Sequence, residues 1–163
     1  MKTLVLGVGN PILSDDGVGF QVTEALKGRV DEERVTVLDS SRNWLDIVEL
    51  LAGYEKAIII DGIQTRKRNA GEVYRLSAAD FEAEAYAVSD HLINFGGAFR
   101  LARAVGMPLP QGIVVFAVEM GDVTTFSENC TPEVERAIPA AAEIVIQELE
   151  HLSLAGPMAS SSG

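Results

Sequence analysis

Four stretches of the chain are apolar almost without interruption and rich in β-branched residues: Lys2 to Gly9, Arg34 to Asp39, Lys56 to Ile63 and Gln111 to Glu119. A strand of that kind has both faces covered, which predicts a mostly parallel sheet with helices on each side. A fifth stretch, Gly71 to Leu76, alternates instead and predicts a short strand that lies at an edge or runs antiparallel. Between the strands the period becomes helical. Val18, Val22, Ala25 and Leu26 form one stripe, stopped by Gly28, and Trp44, Val48 and Leu51 form another, stopped by Gly53. A third stripe, Leu92, Phe95, Phe99 and Ala102, follows a possible cap at Asp90 and ends at Gly106 and Pro108. The last helix opens with Thr131 as cap and Pro132 in its first turn, and presents Val134, Ile138, Ala141, Ala142 and Val145. The order β-α-β-α-β-β-α-β-α predicts one doubly wound α/β domain over residues 1–152, a five-stranded twisted sheet between helical layers. Residues 153–163 show no apolar period to pack and are expected to form a loose, disordered tail.

Charge narrows the range of partners. A formal net charge of -11 weighs against nucleic acid and against anionic membranes, and no stretch has the ~18 apolar residues of a membrane span. The local exception is Arg66, Lys67 and Arg68, whose ordinary reading is a solvated hairpin tip. The single cysteine, Cys130, excludes an intrachain disulfide and suits a reducing, cytoplasmic compartment.

In an open parallel sheet ligands bind beyond the carboxyl ends of the strands. Those ends offer Asn10, Asp15 and Asp16 after the first strand, Asp39, Ser40 and Ser41 after the second, Asp61 after the third, and Glu119 and Asp122 after the last, with His91 opening a helix. Gly7-Val8-Gly9 followed by Asp39 has the outline of a nucleotide- or S-adenosylmethionine-binding Rossmann-like enzyme. Ile12 replaces its third glycine, however, and Asp15 and Asp16 stand where a helix would greet phosphate. A cation suits these groups better. Asp16, Asp61 and His91 form an oxygen and nitrogen set for a divalent transition metal with open positions for water or substrate. Each also has an ordinary use: Asp15 or Asp16 as a helix cap, Asp61 closing a turn before Gly62, His91 as a satisfied surface histidine.

The stretch "LGVGNPILSDDGVG", with "IIIDGI", the histidine of "SDHL" and "CTPEVERAIP", resembles the hydrogenase maturation endopeptidases over nearly the whole domain. That resemblance implies a metal-dependent peptidase, a hydrolase that removes the C-terminal extension of a nickel-iron hydrogenase large-subunit precursor after nickel insertion. It implies Asp16, Asp61 and His91 as the metal-binding and catalytic residues. The nickel is expected to be carried by the substrate, and other divalent transition metals suit the same site. Where the family commonly has a glycine pair after the second strand this chain has "DSSRNW", which points to a different substrate mouth. A non-catalytic nickel chaperone is the alternative, and the acidic surface fits it as well as a protease. As nucleophiles, Cys130 with His91, Ser40 and Ser41 lack an activating setting, and His151 lies near the tail.

Overall fold

The computed structural model describes residues 2–77, 79–80 and 90–155, leaving aside the side chains of 90–95, 154 and 155. Strands β1 (Thr3–Val8), β2 (Val35–Ser40), β3 (Lys56–Ile63), β4 (Val73–Ser77) and β5 (Gly112–Glu119) form one sheet in the order β2-β1-β3-β5-β4. All neighbours run parallel except β4, which is both the edge strand and antiparallel to β5. Helices α1 (Val18–Leu26), α2 (Trp44–Leu51), α3 (Asp90–Ala104) and α4 (Pro132–Ala155) complete the predicted order, with a 3-10 turn at Ser14–Gly17 leading into α1.

Alternation along the strands divides the core in two. Leu4, Leu6, Val8, Ala57, Ile59 and Ile63 face the layer of α2 and α3, where Ile47, Leu51, Phe99 and Ala102 meet them. Val5, Ile58, Ile60, Phe116 and Val118 face α1 and α4, against Val22, Leu26, Val134 and Val145. The central strands are apolar on both faces because both faces are covered. Asp61 falls between Ile59 and Ile63, so the pleat turns it toward the α2–α3 layer, opposite Val8 of β1 and Ala117 of β5.

The helix stops fall where expected: Gly28, Gly53 and Gly106 all have positive φ. At the start of α2 the Asn43 side chain accepts a hydrogen bond from the Asp46 amide at 3.0 Å. Helix α4 extends to Ala155, three residues past the expected domain end; residues 156–163 lie outside the described residues. None of the described helices is long and apolar enough to cross a membrane.

One expectation is corrected. Arg66, Lys67 and Arg68 do not cap a hairpin, because β3 and β4 do not pair; each pairs with β5, on opposite sides. The segment between them instead arches over the carboxyl end of β5. There the Glu119 carboxylate, nearly sealed from solvent, accepts hydrogen bonds from the Thr65 amide at 2.8 Å and from the Thr65 hydroxyl.

Glycine 19 fixes how closely α1 lies on the sheet. A Cβ there would stand 2.6 Å from the Ile60 carbonyl oxygen and 2.8 Å from that of Val8, both of them backbone atoms that cannot give way. Gly53 has φ 91° but open space around it. Gly19→Ala is therefore expected to lower unfolding free energy by about 3 kcal/mol or more, and Gly53→Ala by only about 1 kcal/mol, in urea denaturation.

Candidate metal centre

The first loop turns back on itself so that its acidic end meets its beginning. The Asn10 amide donates to the Asp16 carbonyl at 3.1 Å, the Leu13 amide to the Asn10 carbonyl at 3.2 Å, and the Asp16 amide to the Leu13 carbonyl at 3.1 Å. The Asn10 side chain also accepts from the Ile12 amide at 3.2 Å. Only glycine fits at position 9, where φ is 149° and a Cβ would come within 1.9 Å of the Asp16 carbonyl oxygen. Gly7 is equally confined: a Cβ would lie 2.6 Å from the Gly19 carbonyl oxygen and 2.7 Å from an Asp39 carboxylate oxygen. The glycines thus admit the protein's own backbone where a nucleotide-binding turn would admit phosphate.

Asp15 and Asp16, adjacent in sequence, have opposite fates. Asp15 is fully buried. Its carboxylate accepts from the amides of Gly121 at 2.8 Å, Asp122 at 2.9 Å and Thr131 at 2.7 Å. The Thr131 hydroxyl donates to it as well, at 2.9 Å to one oxygen and 3.0 Å to the other. Thr131 does stand immediately before Pro132, as expected of a cap, but its hydroxyl is used on Asp15. A second tie joins the same segments: the Ser14 amide donates to the Ser127 carbonyl and the Ser127 amide to the Ile12 carbonyl, both at 2.9 Å. Ser14 takes φ 51°, left-handed for a residue with a side chain, to make the turn.

Asp16 is partly exposed and lies close enough to Asp61 for its charge to be felt there. Asp61 is completely buried, and its carboxyl is held well above the usual carboxylate range, first by burial and then by the Asp16 charge, with the Gly62 amide opposing. Two oxygen donors so placed fit a divalent cation, which relieves both the desolvation and the mutual repulsion. His91 is the second residue of α3, the helix layered on the sheet face to which Asp61 points. Its side chain lies outside the described residues, so the structure brings together Asp16 and Asp61 and places His91 by backbone alone. Among the described residues no three His, Cys, Asp or Glu side chains converge as a ready cluster.

The remaining strand-end residues are engaged elsewhere. Asp39 accepts the Thr23 hydroxyl on the outer side of β1, and burial pushes its carboxyl up. Ser40 ends β2 with its hydroxyl accepting from the Arg42 amide at 3.1 Å, and neither Ser40 nor Ser41 has a positive φ. Asp122 closes its own turn through Thr124 and Thr125, hydrogen bonds that pull its carboxyl down to about 2. Cys130 is half-buried, its sulfur 3.8 Å from the Ser14 carbonyl oxygen; burial, with Asp15 and Glu135 nearby, pushes the thiol up to about 11. That is the setting of an inert cysteine. His151 is exposed on α4. The locks Asp15–Thr131 and Glu119–Thr65 had no sequence signal, since their partners are 116 and 54 residues apart.

Residues 20–148 match the model of a family described as hydrogenase maturation protease. The chain is 28% identical over 151 residues to the Hydrogenase 2 maturation protease of Escherichia coli K12, covering 91% of each. Its fold is similar to that of a solved hydrogenase maturating endopeptidase from E. coli, with a TM-score of 0.81 and 27% identity over 93% of each chain. It also superimposes on a [NiFe] hydrogenase maturation protease from Thermococcus kodakarensis, with a TM-score of 0.75 and 24% identity over 91% of this chain and 99% of that one, a likeness of fold.

The two aspartates should separate cleanly in thermal unfolding. Asp15→Asn is expected to cost about 3 kcal/mol, because buried amides lose their anionic acceptor, whereas Asp16→Asn costs less than about 1 kcal/mol. Cys130 at pH 8 has roughly a thousandth of its thiol ionised, against about a quarter for a free cysteine. Iodoacetamide labelling followed by intact mass should therefore be slower than that of a free thiol by about two orders of magnitude in the native protein, and ordinary after unfolding.

Proposed function

The chain belongs to the hydrogenase maturation protease family, and on that premise we propose that it is the endopeptidase that removes the C-terminal extension of a nickel-iron hydrogenase large-subunit precursor once nickel has been inserted. The observation that carries this reading is the pairing of Asp16 with the buried Asp61 at the carboxyl edge of the sheet. Two carboxylates set close together, one without access to water, repel each other and favour a divalent cation between them.

A precursor already loaded with nickel brings that cation as part of the substrate. Asp16 and Asp61, with His91 from the start of α3, are the side chains that would hold it, and an empty precursor would leave their repulsion unrelieved. Nickel so held supplies Lewis acidity to the scissile carbonyl or to a water. The protein's share is positional: Asp15 and Gly9 fix the loop that presents Asp16, and β3 fixes Asp61. A carboxylate oxygen not engaged in metal binding can take the proton of the attacking water.

The glycine turn gives no support to a nucleotide, because the Asp16 backbone fills the space at Gly9. A nickel chaperone is separated from a protease by product. Intact mass spectrometry of nickel-loaded and nickel-free precursor, before and after incubation with the protein, is expected to show loss of a C-terminal peptide from the loaded form alone. Asp16→Asn should slow that cleavage by about a hundredfold or more, while Cys130→Ala leaves it within about twofold of wild type. Binding without shortening, beside an active control protease, would assign a chaperone instead.

A further inference from the structure

The three consecutive cations at residues 66–68 are exposed on a protein of net charge -11. Lys27, Arg29, Arg34 and Arg75 each form a salt bridge, but among the described residues none of Arg66, Lys67 and Arg68 does. Their segment is nevertheless firmly held. The Lys67 amide donates to the Thr65 hydroxyl at 3.1 Å, the Asn69 amide to the Glu72 carboxylate at 3.1 Å, and the Glu72 amide to the Asn69 carbonyl at 3.0 Å. The Gly71 amide donates to the Glu119 carbonyl at 2.9 Å, and the Arg68 guanidinium sits 3.9 Å from the centre of the Tyr74 ring.

Arg66 itself has φ 60°. Glycine or asparagine would sit there more comfortably, so local structure gives no reason for an arginine. Among the described residues, the only other non-glycine with positive φ is Ser14, in the loop that carries Asp16. Both unfavourable turns lie at the carboxyl edge of the sheet. Arg66 follows Asp61 by five residues, so the two are no more than about 17 Å apart along the chain.

We propose that Arg66, Lys67 and Arg68 form a docking site for an acidic stretch of the peptide that the enzyme cuts, its carboxylates lying within about five extended residues of the scissile bond. The inference rests on the protease reading for the identity of that peptide. An acidic segment meets repulsion over most of this surface and attraction at this turn, so the turn sets where the tail enters and in which direction it runs. Because the turn is already ordered, little further entropy is lost when the tail arrives.

The test compares the wild type with Arg66→Gly/Lys67→Ser, which removes two charges and eases the left-handed residue. Its charge-matched control is Lys27→Ser/Arg34→Ser, at the opposite edge of the sheet. A dye-labelled synthetic peptide of the precursor's C-terminal extension, spanning the cleavage site, is titrated by anisotropy. KM and kcat are measured on nickel-loaded precursor in parallel. The turn variant is expected to weaken peptide binding and raise KM about tenfold with kcat within about twofold, and to flatten the salt dependence, while the control stays within about twofold. Replacing the extension's Asp and Glu by Asn and Gln should weaken wild-type binding equally and add nothing in the turn variant. If the turn variant matches the control, if the two changes add independently, or if wild type fails to bind the peptide, the docking site is wrong. Turn-dependent peptide binding without cleavage would keep the docking site and overturn the protease reading.

Discussion

The Asp15 carboxylate is sealed from solvent and receives three backbone amides and a hydroxyl, all from the segment between β5 and α4. A buried carboxylate is tolerable only when its oxygens are this fully served, and these donors are available in one arrangement of the two segments. The first loop, the turn at Gly121 and the start of α4 are therefore fixed relative to one another. Because successive side chains leave the turn in different directions, fixing Asp15 inward directs Asp16 toward Asp61. The same closure half-buries Cys130 against the Ser14 carbonyl, where burial and the nearby carboxylates push its thiol up.

The edge of the sheet that in other doubly wound proteins receives a phosphate here offers a phosphate no room at its glycine turn. The glycines that shape a phosphate turn are present, but backbone fills the space they open: Gly9 takes the Asp16 carbonyl, and Gly7 and Gly19 bring α1 onto the strands. Burial and the neighbouring charge of Asp16 together make Asp61 a costly anion at the centre of the sheet. Such a cost is characteristic of a functional position rather than of one chosen for stability.

Electrostatics divides this edge into two zones. The paired carboxylates suit the metal end of a substrate, and the basic turn over β5 suits an anionic segment beyond it. Glu119 links them, since its carboxylate anchors Thr65 at the foot of the basic turn while its backbone continues the sheet. A rigid central strand carries Asp61, and loops carry Asp16 and the basic turn.

How much of this was legible in the sequence follows from the range of each interaction. Strand and helix positions depend on the period of apolar residues within a few turns of chain, and those were read correctly, including the odd character of β4. Its register with β5, and the fact that it does not pair with β3, were not, since pairing is decided between segments far apart. For the same reason the basic run read as a hairpin tip and proved to be an arch over β5. The chemistry divides likewise. Residue types at strand ends pointed to Asp16 and Asp61, because chain direction alone places strand ends on one edge. Which of two adjacent aspartates would face inward could not be read locally, because the choice is made by Gly121, Asp122 and Thr131, more than a hundred residues away. The sequence by itself determined the layers, the edge and the kinds of atoms brought to it. Only the tertiary structure decided which carboxylate became a strut and which was left partly exposed beside Asp61, because hydrogen bonds to a buried charge form only once distant segments have met.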